Sequence, residues 1–243
     1  MRSTFLATTC IFILFWSNAS AQKKSYNFPF NHSLWDSISK QKLTAVCSPT
    51  YTDHTFTFGK VKVTRPVCHF DKQCGFIFND TADFLKDGSY TIEMYVELDA
   101  IYGANKLIDY LNLADDNGLY ENNGACTFRG PGNVSGDVFT NGTYNFVAIT
   151  RNGTSKEVKM YVNGQFIDGI TDDGERIVAM YDANKTLRFI QDDNYSNGTE
   201  CGIGNIALLT IYNSVCDEAI IKNHLGALAE NLKIKPAVTK STK

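Results

Sequence analysis

Glu93 and Glu97 come nearest, in type and spacing, to a catalytic pair. Two carboxylates flanking a glycosidic bond, roughly 5–9.5 Å apart, supply an acid and a base or nucleophile. In SYTIEMYVEL (residues 89–98) the side chains alternate: Thr91, Glu93, Tyr95 and Glu97 share one strand face, and Ile92, Met94, Val96 and Leu98 the other. The i,i+4 spacing sets the two carboxylates about 13 Å apart along an extended strand. That separation favours two acids on a solvated sheet face over a catalytic pair.

A second acidic group lies in a loop. Asp192, Asp193 and Glu200 bracket Asn194 and Gly198 just before a long apolar strand. Calcium takes 6–8 oxygen ligands, and a loop rich in Asp, Asn and carbonyl groups supplies part of that shell. The competing reading is a turn whose Asp and Asn side chains bond their own backbone. Calcium is therefore an optional cation, and no cofactor is required. A hairpin turn accounts for Asp115-Asp116-Asn117-Gly118 without an ion, and Asp109, inside a strand, suits a buried hydrogen-bonded role as well as a ligand role. His32, His54, His69 and His224 fall in no Ser- or Cys-based motif, and neither a phosphate loop nor HExxH occurs. No enzyme activity is expected.

Aromatic rings stack on sugar faces. Trp35, Tyr51, Tyr102, Tyr120 and Tyr195 lie near irregular segments or turns, but with 12 Tyr and 16 Phe most rings must pack.

Residues 1–21 read as a signal peptide: Arg2 is the only charge, residues 5–16 are largely apolar, and Ala19-Ser20-Ala21 is a small-x-small cleavage site. The apolar run falls short of the roughly 20 residues a spanning helix needs, so no membrane span is expected after cleavage. A formal net charge of −3 without clustered Lys and Arg argues against nucleic acid. In an exported chain Cys47, Cys68, Cys74, Cys126, Cys201 and Cys216 are disulfide candidates, up to three bonds of undetermined connectivity, with a local Cys68–Cys74 loop one option. Their spacing does not suit zinc. Sequons at Asn31, Asn79, Asn133, Asn141, Asn152, Asn184, Asn194 and Asn197 are glycosylation candidates in a eukaryotic secretory pathway.

The elements that must position these residues are mostly strands. They are expected at 26–30, 55–63, 76–78, 89–98, 106–113, 119–120, 144–150, 158–162, 186–190 and 203–212, with a further strand pairing after Asn163-Gly164. Asn152-Gly153 and Asn163-Gly164 carry the residue types of tight hairpin turns. One helix is expected at 217–228, where Ile220, Ile221, His224, Leu225 and Leu228 recur at helical spacing, starting from Ser214. This pattern gives an all-β sandwich of two antiparallel sheets with one short C-terminal helix, a single domain over 22–232, and a polar, basic tail at 233–243.

Five blocks in order carry a family resemblance: SYTIEMYVELD (89–99), KLIDYLNLADDNGLY (106–120), FVAITRNGTSKEVKMYVNG (146–164), LRFIQDDNYSNGTE (187–200) and GIGNIALLTIYNSVCDEAI (202–220). Together they resemble the laminin-G-like, concanavalin A-like jelly rolls of secreted proteins, over about residues 26–228. The resemblance implies two packed antiparallel sheets with functional loops at the rims. Its glycan-cleaving members carry E-x-D-x-x-E or E-x-D-x-E on one strand; here Tyr95 takes the central position. The expected function is accordingly a secreted, non-catalytic module that recognises an extracellular glycan or a matrix or cell-surface protein. A hydrolase or lyase using Glu93 and Glu97, and a structural matrix component, are the alternatives.

Overall fold

The computed structural model describes residues 24–129, 134–178, 185–194 and 198–233. The expected signal segment, Asn133, Asn184, Tyr195, Asn197 and the tail beyond Lys233 lie outside them.

Two antiparallel sheets face each other. The larger contains β3 (Thr50–Phe58), β4 (Val61–Phe70), β6 (Tyr90–Leu98), β11 (Asn145–Arg151), β12 (Glu157–Val162), β13 (Gln165–Thr171) and β15 (Gly204–Tyr212), in the order β13-β12-β11-β6-β15-β4-β3. Beside β4, β1 (Ser25–Phe28) also pairs with β15. The smaller sheet runs β10 (Val134–Asp137), β9 (Ala125–Arg129), β8 (Gly118–Asn122), β7 (Ala104–Asp109), β14 (Thr186–Phe189), β5 (Phe76–Asn79) and β2 (Thr44–Ala45). Helices α1 (Glu218–Gly226) and α2 (Leu228–Asn231) follow the last strand.

Alternation explains where the core sits. Ile92, Met94, Val96 and Leu98 of β6 turn inward with Val147, Ile149, Leu209 and Ile211, and meet Phe76, Phe78, Leu119, Phe128, Leu187 and Phe189 of the smaller sheet. Fully burying each such side chain contributes about 1.5–3 kcal/mol. The reverse face of the large sheet is also covered. Phe146, Ala148, Tyr161 and Leu208 lie there in a second cluster with Ile221, Leu228 and Leu232 from the C-terminal segment.

This second layer corrects the reading of Glu93 as a solvated acid. Glu93 is 3 % exposed, and its Oε1 lies 2.7 Å from His224 Nδ1 on α1. Glu97 remains half-buried and accepts a bond from Asn205 Nδ2 at 3.1 Å. The helix begins at Glu218, one residue from the expected bound, but its cap lies one turn later than expected. Asp217, not Ser214, caps it by accepting a bond from the Ile220 amide.

Other differences have local causes. The single strand expected over 55–63 is a hairpin whose chain reverses between Phe58 and Val61. Asn163 and Gly164 both have positive φ, as a two-residue hairpin turn requires. At Asn152 the turn is longer. Its carbonyl accepts from Lys156 N, and Gly153 serves close packing instead, because a Cβ there would lie 2.1 Å from the Asp87 carbonyl oxygen. Strands β9 and β10 were not expected: ACTFR and VSGD are short, and each carries too few large apolar residues to show a period.

Among the described residues one disulfide forms, Cys47–Cys74, rather than a Cys68–Cys74 loop. It closes a separation of 27 residues, which in the chain-entropy account stabilises the fold by about 3.5 kcal/mol. Cys68, Cys126, Cys201 and Cys216 are buried in the interior. Burial pushes the Cys68 and Cys126 thiols up to about 12, away from the reactive thiolate. Alkylation after denaturation should add four groups to the six cysteines from Cys47 to Cys216 without reductant and six with it; mass spectrometry reads the difference.

Candidate functional site

At one end of the sandwich, three connections meet because their strands are paired there. Gly204 at the start of β15 is opposite Phe70 at the end of β4 and Leu98 at the end of β6. The β4–β5, β6–β7 and β14–β15 loops therefore leave side by side. Between them is a pocket of about 400 Å³ lined by Lys72, Asp99, Tyr102, Asn105, Thr199 and Gly202, with Cys201 beside them.

The lining combines one ring with several polar groups. Tyr102 is 79 % exposed. Around it stand an ammonium, a carboxylate, an amide and a hydroxyl, while Gly202 keeps the wall flat. A Cβ at Gly202 would press on Asn105 Oδ1 and Leu98 Cδ2, both at 3.0 Å. Such a surface offers an apolar face together with donors and acceptors of both kinds.

Buried polar residues hold the pocket from beneath. Asn105 Nδ2 donates to Glu121 Oε2 at 2.5 Å and to the Ala100 carbonyl at 3.3 Å, tying β7 to the loop that carries Tyr102. Glu121 Oε1 accepts from the Gly124 amide at 2.6 Å. Burial raises the Glu121 carboxyl above its ordinary range, against the opposing pull of the Asn105 and Gly124 bonds.

The acidic loop lies behind the pocket wall, where Asp192 and Asp193 are buried. Asp192 accepts from the amides of Asp193 and Glu200, at 2.8 and 2.9 Å, and so folds the loop on itself. Asp193 instead reaches across to Lys106, whose Nζ is 2.5 Å from Asp193 Oδ2, 2.7 Å from Asp109 Oδ2 and 3.0 Å from the Asp115 carbonyl oxygen. Asp109 also accepts from the Leu113 amide, and burial raises its carboxyl despite the attraction of Lys106. Asp115 folds its own turn by accepting from Asn117 N. Among the described residues no three His, Cys, Asp or Glu side chains gather as a metal-binding group.

Of the other expected aromatics, Trp35 sits under Lys42, Tyr51 packs beside His32, and Tyr120 is buried beside Lys106. The described sequons Asn79, Asn141 and Asn194 are exposed, Asn31 and Asn152 are half-buried, and Asn152 Oδ1 already accepts from the amides of Thr154 and Ser155. Sequence reasoning missed Lys72, Asp99, Asn105, Lys106 and Thr199. The one available signal was Lys106 itself, a charge opening the apolar run KLIDYL.

In Glu121→Gln the new amide can accept only one of the two N–H bonds, so unfolding stability should fall by about 1–3 kcal/mol. Because the folded protein holds the Glu121 proton more tightly than the unfolded chain, this group's contribution falls as pH rises from the ordinary carboxylate range through the raised value. Urea titrations across that interval should show the wild-type margin over the variant narrowing with pH.

Comparison with known proteins follows the architecture. The family model described as the concanavalin A-like lectin/glucanases superfamily matches residues 72–222. No curated protein matches in sequence. Among solved structures, domain 4 of AbnA, a GH43 extracellular arabinanase from Geobacillus stearothermophilus in complex with arabinotriose, superposes with a TM-score of 0.58 at 15% identity, covering 83% of this chain and 98% of that one. The Ruminococcus gnavus IT-sialidase CBM40 bound to alpha2,3 sialyllactose gives 0.51 at 12% identity, covering 64% and 94%. The binding domain of botulinum neurotoxin DC in complex with rat synaptotagmin II gives 0.52 at 13%, covering 78% and 47%.

Proposed function

The chain belongs to the concanavalin A-like lectin/glucanases superfamily, and we propose that it is a secreted, non-catalytic module that binds glycan in the rim pocket. The observation that carries this reading is the exposed Tyr102 ring standing over a pocket of amide, hydroxyl, carboxylate and ammonium groups. A sugar ring presents the complementary surface: C–H groups for the aromatic face and hydroxyls that both donate and accept. Two structurally similar domains carry arabinotriose and sialyllactose, which supports the ligand class without naming the sugar.

Binding without turnover agrees with the state of Glu93 and Glu97, the two acids that share a strand face. Glu93 is closed in against His224, Glu97 is engaged by Asn205, and Tyr95 stands between them. Export agrees with the signal-like first 21 residues and with the Cys47–Cys74 bond. No described helix is long and apolar enough to cross a membrane.

A glycan array that includes arabino-oligosaccharides and sialyllactose tests the reading. The protein should retain at least one glycan class, and Tyr102→Ala should weaken that binding at least about tenfold with an unchanged melting temperature, since stacking is worth on the order of 1 kcal/mol beyond area burial. An array without signal, or a Tyr102→Ala protein that binds equally well, would refute it.

A further inference from the structure

Two segments far apart in sequence, 106–115 and the start of the β14–β15 connection, send oxygens to one point. Asp109 ends β7, Asp115 lies in the β7–β8 connection, and Asp193 lies in the β14–β15 connection. At that point is the ammonium of Lys106, and the side chains of Lys106, Asp109 and Asp193 are all fully shielded from solvent. Drawing oxygens from separate loops onto a shared positive charge is what a structural divalent cation does.

We propose that Lys106 is a built-in replacement for such a cation, so that the rim is assembled without calcium. An ammonium has three N–H donors and no acceptor; the two carboxylates and the carbonyl provide three acceptors. Its hydrogen-bonding capacity is therefore filled. Calcium in the same place would need 6–8 oxygens at 2.3–2.6 Å, and Nζ occupies the centre on which the three available oxygens converge. The Tyr120 ring, 5.4 Å from Nζ, closes another side with a π face, which suits an ammonium, and its hydroxyl stands 3.4 Å from Asp193 Oδ2. Two buried carboxylates without this charge would repel each other and lose solvation, so the cation is a condition of the loop arrangement. Further hydrogen bonds accompany the same arrangement: Lys106 N donates to the Glu200 carbonyl and Asn194 N to the Leu113 carbonyl, joining the β14–β15 connection to β7 and to the β7–β8 connection.

This inference concerns how the rim is held and stands whatever the pocket binds, so its test reads stability. Wild-type protein should melt at one temperature in millimolar calcium and in chelator; a calcium-dependent rise overturns the proposal. Lys106→Ala empties the position and leaves the carboxylates unbalanced. It should melt lower in chelator and recover part of the loss in calcium, because an ion that binds only the folded state stabilises it. The response should vanish in Lys106→Ala combined with Asp193→Asn. A folded Lys106→Ala protein indifferent to calcium sinks the idea. Should that variant fail to fold in chelator, refolding in calcium becomes the readout: recovery of the β-sheet circular dichroism supports the replacement, and none refutes it.

Discussion

The first part of strand β6 is buried on both faces, and the rest of the molecule is arranged around that constraint. Its inward residues join the apolar core between the sheets, while Thr91 and Glu93 on the reverse face are sealed under the C-terminal segment. A strand enclosed in this way requires neighbours on both edges and a cover on each side. β11 and β15 supply the edges, the smaller sheet one cover and the helical segment the other. The polar groups caught inside must be paired. Thr91 Oγ1 donates to the Ser214 carbonyl and accepts from Cys216 N, and Glu93 meets His224. The helix is thus held by polar contacts as well as by Ile221 and Leu228.

The end of β6 also places the candidate site. Leu98 and Gly204 are the last paired positions before the chain departs into loops, and those loops form the pocket walls. Rigidity there comes from beneath, through Asn105 and Glu121 on one side of the smaller sheet and Lys106 with its carboxylates on the other. Exposed binding groups on loops depend on such buried support, since a loop alone holds no fixed geometry.

The sequence disclosed the fold because periodicity records which face of a strand is apolar. Ile92, Met94, Val96 and Leu98 pointed to the core face correctly, and Asn163-Gly164 located its turn. Periodicity does not record what lies over the other face. Glu93 therefore looked solvated until α1 was seen above it. The acidic loop was legible as a cluster, but not what it would meet, because Asp193 pairs with a lysine 87 positions away. Distance in sequence likewise hid the rim pocket, whose lining runs from Lys72 to Ile203. Tyr102 was visible as a candidate only as one ring among many. Its exposure, which distinguishes it, is a property of the folded molecule.

The sulfur chemistry shows how the finished fold restrains its own reactivity. Four cysteines are shut in the interior, and among the described residues one bridge, Cys47–Cys74, is formed. Packing, more than redox potential, keeps them from exchanging with that bridge, because a thiol without water or access forms little thiolate. Heat that opens the sandwich releases all of this at once. Scrambled cross-links would then compete with refolding, so the molecule's endurance is set by how rarely it opens, and each full opening risks being its last.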